Sequence, residues 1–447
     1  MVSLDISDEI NSKYLVFGLG KTGLSIARHL FKENIDAIYY DSRSEPPEKE
    51  LFEELFGKEN IFLADYEESI LENVTAIVVS PGISDQNKLL KLGLKKNIKI
   101  ISDIDLYVES SSRDFVTVTG TNGKSTVTEL ISYICNKSKI KASAGGNLGI
   151  PALDLLSDDA ELHILELSSF HLHRCDYLPS KVAVLLNISR DHLDWHRNED
   201  HYKKCKFRIL RDANSSVYNH GINDIGKYLN SNINVGFGAE VKEKSFGILE
   251  ENNSFYLCYG KEKLINCNKL KLNGNHNYEN ILSALAASRL IGIDLSDALD
   301  AICSFQGLPH RMQSISNHNS IEYINDSKGT NVDAAIASIS SLKKKVILLA
   351  GGQSKGGNFE QFAEAIKNKV KRAYLFGEDA KIIGNELNKF VPVVFVDNLE
   401  DAVILAKKSS SPGDVILLSP ACASFDQFDS FIHRGKEFER IVGEITK

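Results

Sequence analysis

The stretch Gly120-Thr-Asn-Gly-Lys124-Ser-Thr126 constrains the fold of this chain more than any other. The β-branched run before it predicts a strand over Phe115–Thr119, and a helix is predicted from about Ser125 to Cys135. A strand that turns through a glycine-bracketed loop into a helix belongs to an α/β fold with a largely parallel sheet. Backbone N–H groups of such a loop converge on the helix N-terminus, and the lysine adds a full positive charge, which together suit a phosphate. The hydroxyl of Ser125 stands where a phosphate loop holds Mg²⁺. The loop is a short variant, because the usual pattern would place a glycine at position 118 and Val118 stands there. The other reading is a turn with a solvated lysine.

At 447 residues the chain exceeds a single core and calls for two or three domains. An apolar fraction of 43% and a charged fraction of 25% describe an ordinary globular protein. No apolar run is long enough to cross a bilayer. A net charge of −8 argues against a nucleic-acid partner held by a broad basic surface, but leaves local nucleotide binding open. The first residues lack the basic-then-apolar order of a signal peptide. The seven cysteines are scattered, with no Cys-x-x-Cys pair, which suits reduced thiols. The expectation is a cytoplasmic protein, a monomer with no membrane insertion and no nucleic-acid partner.

Near the N-terminus a strand over Lys13–Phe17 opens into Gly18-Leu-Gly20-Lys-Thr22-Gly23. A helix to about Glu33 and a strand Ala37–Tyr40 follow, ending at Asp41-Ser42-Arg43. Gly-x-Gly-x-x-Gly in a βαβ setting with an acidic residue after the second strand is the dinucleotide pattern. The residues alone admit NAD, another phosphate-bearing nucleotide, or glycines that merely let helix and strand pack. Strand Ala76–Val79 ends in Ser80-Pro-Gly82, and Ile98–Ile101 closes a first domain of residues 1–102.

The second domain, residues 103–307, carries the phosphate loop. The segment Ala144-Gly-Gly-Asn147-Leu-Gly-Ile-Pro151 is expected to be a loop, being too glycine-rich for a helix or a central strand. Strand His163–Leu167 carries Glu166, either a Mg²⁺ ligand beside the loop or a buried, hydrogen-bonded carboxylate. After a strand Val182–Asn187 come Asp191, His192, Asp194 and His196; the histidine spacing would suit zinc on a helix, but the aspartates indicate a loop. His171 and His173 fall in a strand-like or loop segment and read as structural. A helix over Asp200–Leu210 contains Lys203, Lys204, Lys206 and Arg208, the composition of a solvated basic face. Asn275 or Asn277 suits the N-cap of a long helix ending at Gly292.

Gly307-Leu-Pro309-His-Arg311 marks a linker, and residues 308–447 alternate strand and helix again. Strands are expected near Ile321–Asn325, Lys345–Ala350, Arg372–Phe376, Val393–Val396 and Val415–Leu418. Their C-terminal loops begin at Asp326, Gly351 and Ser419, where open α/β sheets hold ligands.

Taken in order, seven motifs resemble those of the Mur ligase family, the ATP-dependent amide-forming enzymes of bacterial peptidoglycan precursor synthesis. They are Gly-Thr-Asn-Gly-Lys-Ser-Thr, Gly-Gly-Asn, Glu-Leu-Ser-Ser-Phe, Asp-His-Leu-Asp, Asn-His-Asn-x-x-Asn, Leu-Pro-His-Arg and Asn-Asp-Ser-Lys-x-Thr-Asn. The likeness spans nearly the whole chain. It implies three α/β domains: Rossmann-like, then a P-loop ATPase-type mononucleotide-binding domain, then Rossmann-like again. Within the family, three features point to the activity that joins D-glutamate to UDP-N-acetylmuramoyl-L-alanine. They are Gly-Leu-Gly-x-Thr-Gly-Leu-Ser with Asp41-Ser42-Arg43, the ending Ser-Pro-Ala-Cys-Ala-Ser-Phe-Asp-Gln-Phe, and the absence of Asp-Asn-Pro-Arg.

The resemblance implies that a substrate carboxylate attacks the ATP γ-phosphate and the resulting acyl phosphate is taken by the incoming amine. Lys124, Glu166, His192 and Lys206 become the expected catalytic residues. Gly120, Thr121, Asn122, Gly123, Lys124, Ser125, Thr126, Asn277, Arg311 and Asp326 are expected to hold ATP. Ser125, Glu166, His192 and a carbamylated Lys206 are expected to hold Mg²⁺. Gly18, Gly20, Thr22, Gly23, Asp41, Ser42, Arg43, Ser80, Gly82, Asn147 and His192 are expected to hold the UDP-muramoyl substrate, replacing the NAD reading. Thr330, Lys355, Ser424 and Phe431 are expected around D-glutamate in the C-terminal domain. Domain closure on ATP is expected to complete the site. Lys21, His171 and Trp195 depart from the family pattern. A sister ligase with another amino acid, a dehydrogenase and a nucleotide-binding module are the rival readings.

Overall fold

The structure, a computed structural model, describes residues 13–446 apart from 148, 193–194, 273 and 355–356. It is α/β and builds three sheets. The chain divides into two compact units, Met1–Asn266 with Glu279–Cys303, and Cys267–Tyr278 with Ser304–Lys447.

In the first unit, strands β1 (Lys13–Phe17), β2 (Ala37–Asp41), β3 (Ile61–Leu63), β4 (Val74–Val79) and β5 (Lys99–Ile101) form a parallel sheet in the order β3-β2-β1-β4-β5. The order reverses between β1 and β4, so the loops Gly18–Gly23 and Ser80–Gly82 open side by side at a topological switch point. A second sheet contains β6 (Asp114–Thr119), β7 (Ala142–Gly146), β8 (Leu162–Glu166), β9 (Val182–Leu185), β10 (Ser215–Asn219) and β11 (Ile233–Phe237). It also contains β12 (Phe246–Glu251), β13 (Ser254–Tyr259) and β14 (Glu262–Asn266), in the order β14-β13-β12-β11-β10-β9-β6-β8-β7. Strand β6 is central and buried from Phe115 onward, because Val116 and Val118 enter the core and the hydroxyls of Thr117 and Thr119 bond Ser180 Oγ and Leu167 O.

In the second unit, β15 (Gln313–His318), β16 (Ile321–Asn325), β17 (Val346–Gly351), β18 (Val370–Phe376), β19 (Val393–Phe395) and β20 (Val415–Leu418) follow the order β15-β16-β20-β17-β18-β19. Among the named strands of this sheet the β15–β16 pair is antiparallel and the other pairs are parallel. Alternate residues of β17 enter cores on opposite faces, Leu348 with Phe362 and Leu349 with Phe438. A sheet covered on both faces has continuous apolar strands of this kind.

Several sequence expectations change. Ala142–Gly146 is a strand after all; at the sheet edge its glycines cost little, which a central position would not permit. His171 and His173 lie on a helix, Ser169–Arg174, capped by Ser168 through a capping box, and not in a strand or loop. The long helix begins at Asn275, so neither Asn275 nor Asn277 precedes it as its cap. The basic helix, Glu199–Phe207, does not present one solvated face, because Lys206 is buried and Lys204 is exposed. Among the described residues no helix is long and apolar enough to cross a membrane.

Candidate active site

β6 delivers the chain into the loop Gly120–Gly123 and the helix Lys124–Lys137. Gly123 has φ +87°, and a Cβ there would stand 2.4 Å from Asn280 Oδ1, so this turn requires glycine. Asn187 fixes the loop by accepting from Asn122 N (2.8 Å) and donating to Asn122 O (3.0 Å). Thr121 Oγ1 lies 2.9 Å from the Tyr202 hydroxyl and donates to Ser189 O. Lys124 Nζ curls over the loop, donating to Gly120 O (2.9 Å) and Thr121 O (2.8 Å), while Ser125 and Thr126 are buried in the first helical turn.

The Gly120 carbonyl accepts a second lysine. Lys206, 1% exposed, donates to it at 2.8 Å and to Thr119 Oγ1 at 3.3 Å, with its ammonium 4.9 Å from the Tyr202 ring centre. Burial, and then the charge of Lys124, hold the Lys206 ammonium well below the usual lysine range, although Asp191 and Glu166 pull the other way. Lys124, Asp191 and Glu166 are thus gathered around one buried amine.

Glu166 closes β8, is buried, and accepts from Asn147 Nδ2 at 2.9 Å. His192 sits at φ +52° with its ring 4.9 Å from Phe170 and its Nε2 3.7 Å from the Asp191 carboxylate. His192 and His196 lie in a loop and not on one helix, in keeping with the loop expected there. His171 faces Asp103 in a buried pair, at 3.7 Å; burial pushes the carboxyl up and the imidazole down. Trp195 donates from Nε1 to Gly82 O at 3.1 Å and packs on Phe170.

At the β1–β4 switch point the three glycines differ. A Cβ on Gly23 would lie 1.8 Å from Gly18 O, whereas one on Gly20 would meet nothing within 4 Å. Gly20 precedes the helix Lys21–Lys32, which contains Thr22 near its N-terminus. Ser80 Oγ donates to Gly18 O. Asp41, 2% exposed, accepts from Leu19 N (2.8 Å), Arg43 N (2.9 Å), Arg43 Nε (2.9 Å) and Arg43 Nη2 (2.7 Å). Burial pushes its carboxyl up, but the Arg43 and amide hydrogen bonds outweigh this and hold it below the usual range. Asp41 therefore organises the glycine loop. Ser42 beside it is exposed.

In the second unit Asp326 is buried, accepts from Ser419 Oγ (2.7 Å) and Met312 N (3.2 Å), and feels the charge of Arg311. Burial pushes its carboxyl up. Arg311 also acts on His276, next to Asn277 in the first turn of its helix. Thr330 follows in the Asp326 loop, which is joined to the Ser419 loop by Ala421 N donating to Gly329 O. Ser424 is buried, and Phe431 opens the helix Phe431–Ile445 with Lys328 Nζ 5.3 Å from its ring centre. Lys355 lies outside the described residues.

Sequence reasoning missed the residues that hold these loops. Asn187 and Tyr202 brace the phosphate loop, and Arg174 donates to Ser80 O and Pro81 O beside the switch point. Arg434 is fully buried and donates to Ser327 Oγ (3.0 Å), Ser327 O (2.9 Å), Cys422 O (3.1 Å), Ala423 O (3.4 Å) and Gly351 O (3.5 Å), tying three strand-end loops together. Asn187 stands just past the end of β9, which was its one sequence signal, whereas Arg174 and Tyr202 sit on helices and, like Arg434, carried none.

A strand that runs through a glycine loop into a helix, with two lysines against one loop carbonyl, is an arrangement suited to holding phosphate in an α/β protein. Three family profiles match the chain in succession: "Mur ligase MurD-like, N-terminal domain" over 12–102, "Mur ligase middle domain" over 118–288, and "Mur ligase, glutamate ligase domain" over 310–422. Among curated relatives, the UDP-N-acetylmuramoylalanine--D-glutamate ligase of Legionella pneumophila (strain Lens) is 38% identical over 444 residues, covering 97% of this chain and 99% of that one. The enzyme of the same name from Pseudomonas aeruginosa is 37% identical over 451 residues, covering 100% of both. Among solved structures, the MurF ligase of Thermotoga maritima in complex with ADP superposes with a TM-score of 0.60 at 19% identity, covering 98% of this chain and 96% of that one. The chain belongs to the Mur ligase family.

Proposed function

We propose that this chain is an ATP-dependent ligase that forms the amide between UDP-N-acetylmuramoyl-L-alanine and D-glutamate, releasing ADP and phosphate. The observation that carries the reading is the Gly120 carbonyl shared by Lys124 and the buried Lys206, in a chain alike over its full length to ligases of that name. The chemistry needs little covalent help. The substrate carboxylate attacks the γ-phosphoryl group, the acyl phosphate forms, the amine of D-glutamate attacks its carbonyl, and phosphate leaves from the tetrahedral adduct. Charge accumulates on the phosphoryl oxygens, so positioned cations do most of the work. Lys124 supplies one, with the amides of Gly120–Gly123 and the hydroxyls of Thr121, Ser125 and Thr126 lining the phosphates.

The donor set fits Mg²⁺. The Ser125 hydroxyl and the Glu166 carboxylate are hard oxygen ligands of the kind it takes, and it would neutralise phosphate charge there. His192 and Lys206 suit a second ion only if Lys206 carries a carboxylate. A lysine held below its usual range supplies the neutral amine that carbon dioxide requires: the N–C bond forms, the nitrogen gives up one proton to solvent, and the amine becomes a carbamate. We assign Asn277, Arg311 and Asp326 to ATP, and Asn147 with the Gly18–Gly23, Asp41–Arg43 and Ser80–Gly82 loops to the UDP-muramoyl substrate. Thr330, Lys355, Ser424 and Phe431 go to D-glutamate. The division into domains 1–102, 103–307 and 308–447, a monomeric state and a cytoplasmic setting, where UDP-sugars and ATP are found, belong to the same proposal.

Phosphate release with UDP-N-acetylmuramoyl-L-alanine, ATP and Mg²⁺ tests it, with D-glutamate set against L-glutamate, L-alanine, glycine and diaminopimelate. Release with D-glutamate alone is the expected result. Release with another amino acid moves the chain to a sister activity, and release with none rejects the reading.

A further inference from the structure

Three side chains that the proposed reaction does not use bring one ligand-type atom each to within 4.8 Å of one another: His173, His201 and Cys205. His173 comes from the helix Ser169–Arg174; His201 and Cys205 stand four apart on the helix Glu199–Phe207 and so share a face. Cys205 Sγ lies 3.6 Å from His173 Nδ1 and 3.8 Å from His201 Nε2. A tetrahedral zinc ion with bonds of about 2.3 Å to sulfur and about 2.05 Å to nitrogen sets an S···N edge of about 3.6 Å. The free protein thus already holds both S···N edges of that tetrahedron.

We propose that His173 Nδ1, His201 Nε2 and Cys205 Sγ form a zinc site, with the fourth position taken by water. The surroundings orient both imidazoles. His173 Nε2 hydrogen-bonds the Asp85 carboxylate, which leaves Nδ1 with the lone pair. His201 Nδ1 lies 3.2 Å from His196 Nδ1, and His196 Nε2 lies 2.9 Å from Ser169 Oγ. One assignment satisfies the whole chain: His201 Nδ1–H donates to His196 Nδ1, His196 Nε2–H donates to Ser169, and His201 Nε2 keeps a lone pair for the ion. Carboxylate and histidine partners of this kind fix tautomer and ring direction around bound metals. Cys205 is 3% exposed and the His173 imidazole 19%, so the site is shielded yet reachable by solvent. A thiolate with two imidazoles selects zinc-class ions over Mg²⁺, which prefers oxygen. On binding, the Cys205 S–H bond breaks, sulfur donates its pair to the ion, and the proton passes to solvent. The ion would tie the two helices together one residue before Lys206.

The inference does not rest on the ligase reading, and its test reads sulfur ligation. The full-length chain, freed of metal with a chelator and kept in excess Mg²⁺, is titrated with Co²⁺. Uptake of one ion with a sulfur-to-cobalt charge-transfer band and strong tetrahedral visible absorption is expected, bleached by Zn²⁺. Cys205→Ser should abolish the charge-transfer band and weaken Zn²⁺ binding at least ~100-fold, and Asp85→Asn should weaken it about 10-fold. If Cys205→Ser does not fold, His201→Gln serves: a loss of ~10-fold or more in Co²⁺ affinity supports the site. No charge-transfer band in the unaltered chain, a band that survives Cys205→Ser, or unchanged affinity in His201→Gln overturns it.

Discussion

Lys204 and Lys206 stand two residues apart on one helix, yet Lys204 faces solvent and Lys206 is 1% exposed against the phosphate loop. Composition could not separate them, because burial is a property of the fold. Only the motif likeness singled out Lys206. Burial and its position beside Lys124 make a cation costly there, and the proposed carbamate would face that lysine together with the carboxylates of Asp191 and Glu166, a setting that needs a metal ion between them. Lys206→Ala is expected to lower turnover by on the order of 10²–10³-fold, and a short carboxylate such as formate should restore part of it. Phosphate release measured with and without formate checks this; full activity without rescue rejects the carbamate. Glu166 shows the converse. The sequence left it as either metal ligand or buried hydrogen-bonded carboxylate, and the Asn147 bond with its burial is compatible with both at once.

At the scale of elements, the sequence made the glycine loops visible but not the division of labour inside them. Gly18, Gly20 and Gly23 form one motif on paper, while in the fold Gly23 is a packing residue and Gly20 faces open space. Gly23→Ala must push apart the helix and β1, and is expected to cost about 1–3 kcal/mol, as overpacking does. Gly20→Ala should stay within about 0.5 kcal/mol, as substitutions away from packed features do. Urea denaturation of both variants measures the difference; equal midpoints would reject it. Arg434 was illegible, since an arginine on an amphipathic helix normally reaches solvent. Its burial is dictated by the carbonyls of three loops pointing at one spot. Arg434→Ala leaves those carbonyls without donors and is expected to destabilise the second unit by about 3 kcal/mol or more. Intrinsic fluorescence or circular dichroism against denaturant would show it as a shifted transition.

For the whole molecule, periodicity and turn chemistry found the strand-and-helix alternation at both ends of the chain but left residues 211–266 unread. There the central sheet runs on through β10 and β11 into the antiparallel strands β12–β14, whose short, mixed-polarity sequences carry little alternation. The histidines of the interior were equally silent, because sequence cannot say which are held neutral. His163 in the first unit is fully buried, has its Nδ1 2.7 Å from the Tyr107 hydroxyl, and is pushed below the usual histidine range by burial, against the pull of Asp158. His276 in the second unit is lowered to about 4, by burial first and then by Arg311. In the unfolded chain both would protonate near pH 6.5. Between that value and the folded pKa the unfolded state binds more protons, so stability is present above pH 6.5 and is lost as pH falls. By pH 5 about 2 kcal/mol of the stability present at neutral pH is lost through His276 alone. Asp103 and Asp326, whose carboxyls burial raises, act in the opposite sense, and Asp103 offsets its own partner His171. The urea midpoint is therefore expected to drop between pH 7 and pH 5, and His276→Gln should flatten that drop in the transition of the second unit. A midpoint that is level across this range, or a slope unchanged in His276→Gln, would show that these imidazoles are not held neutral by the fold.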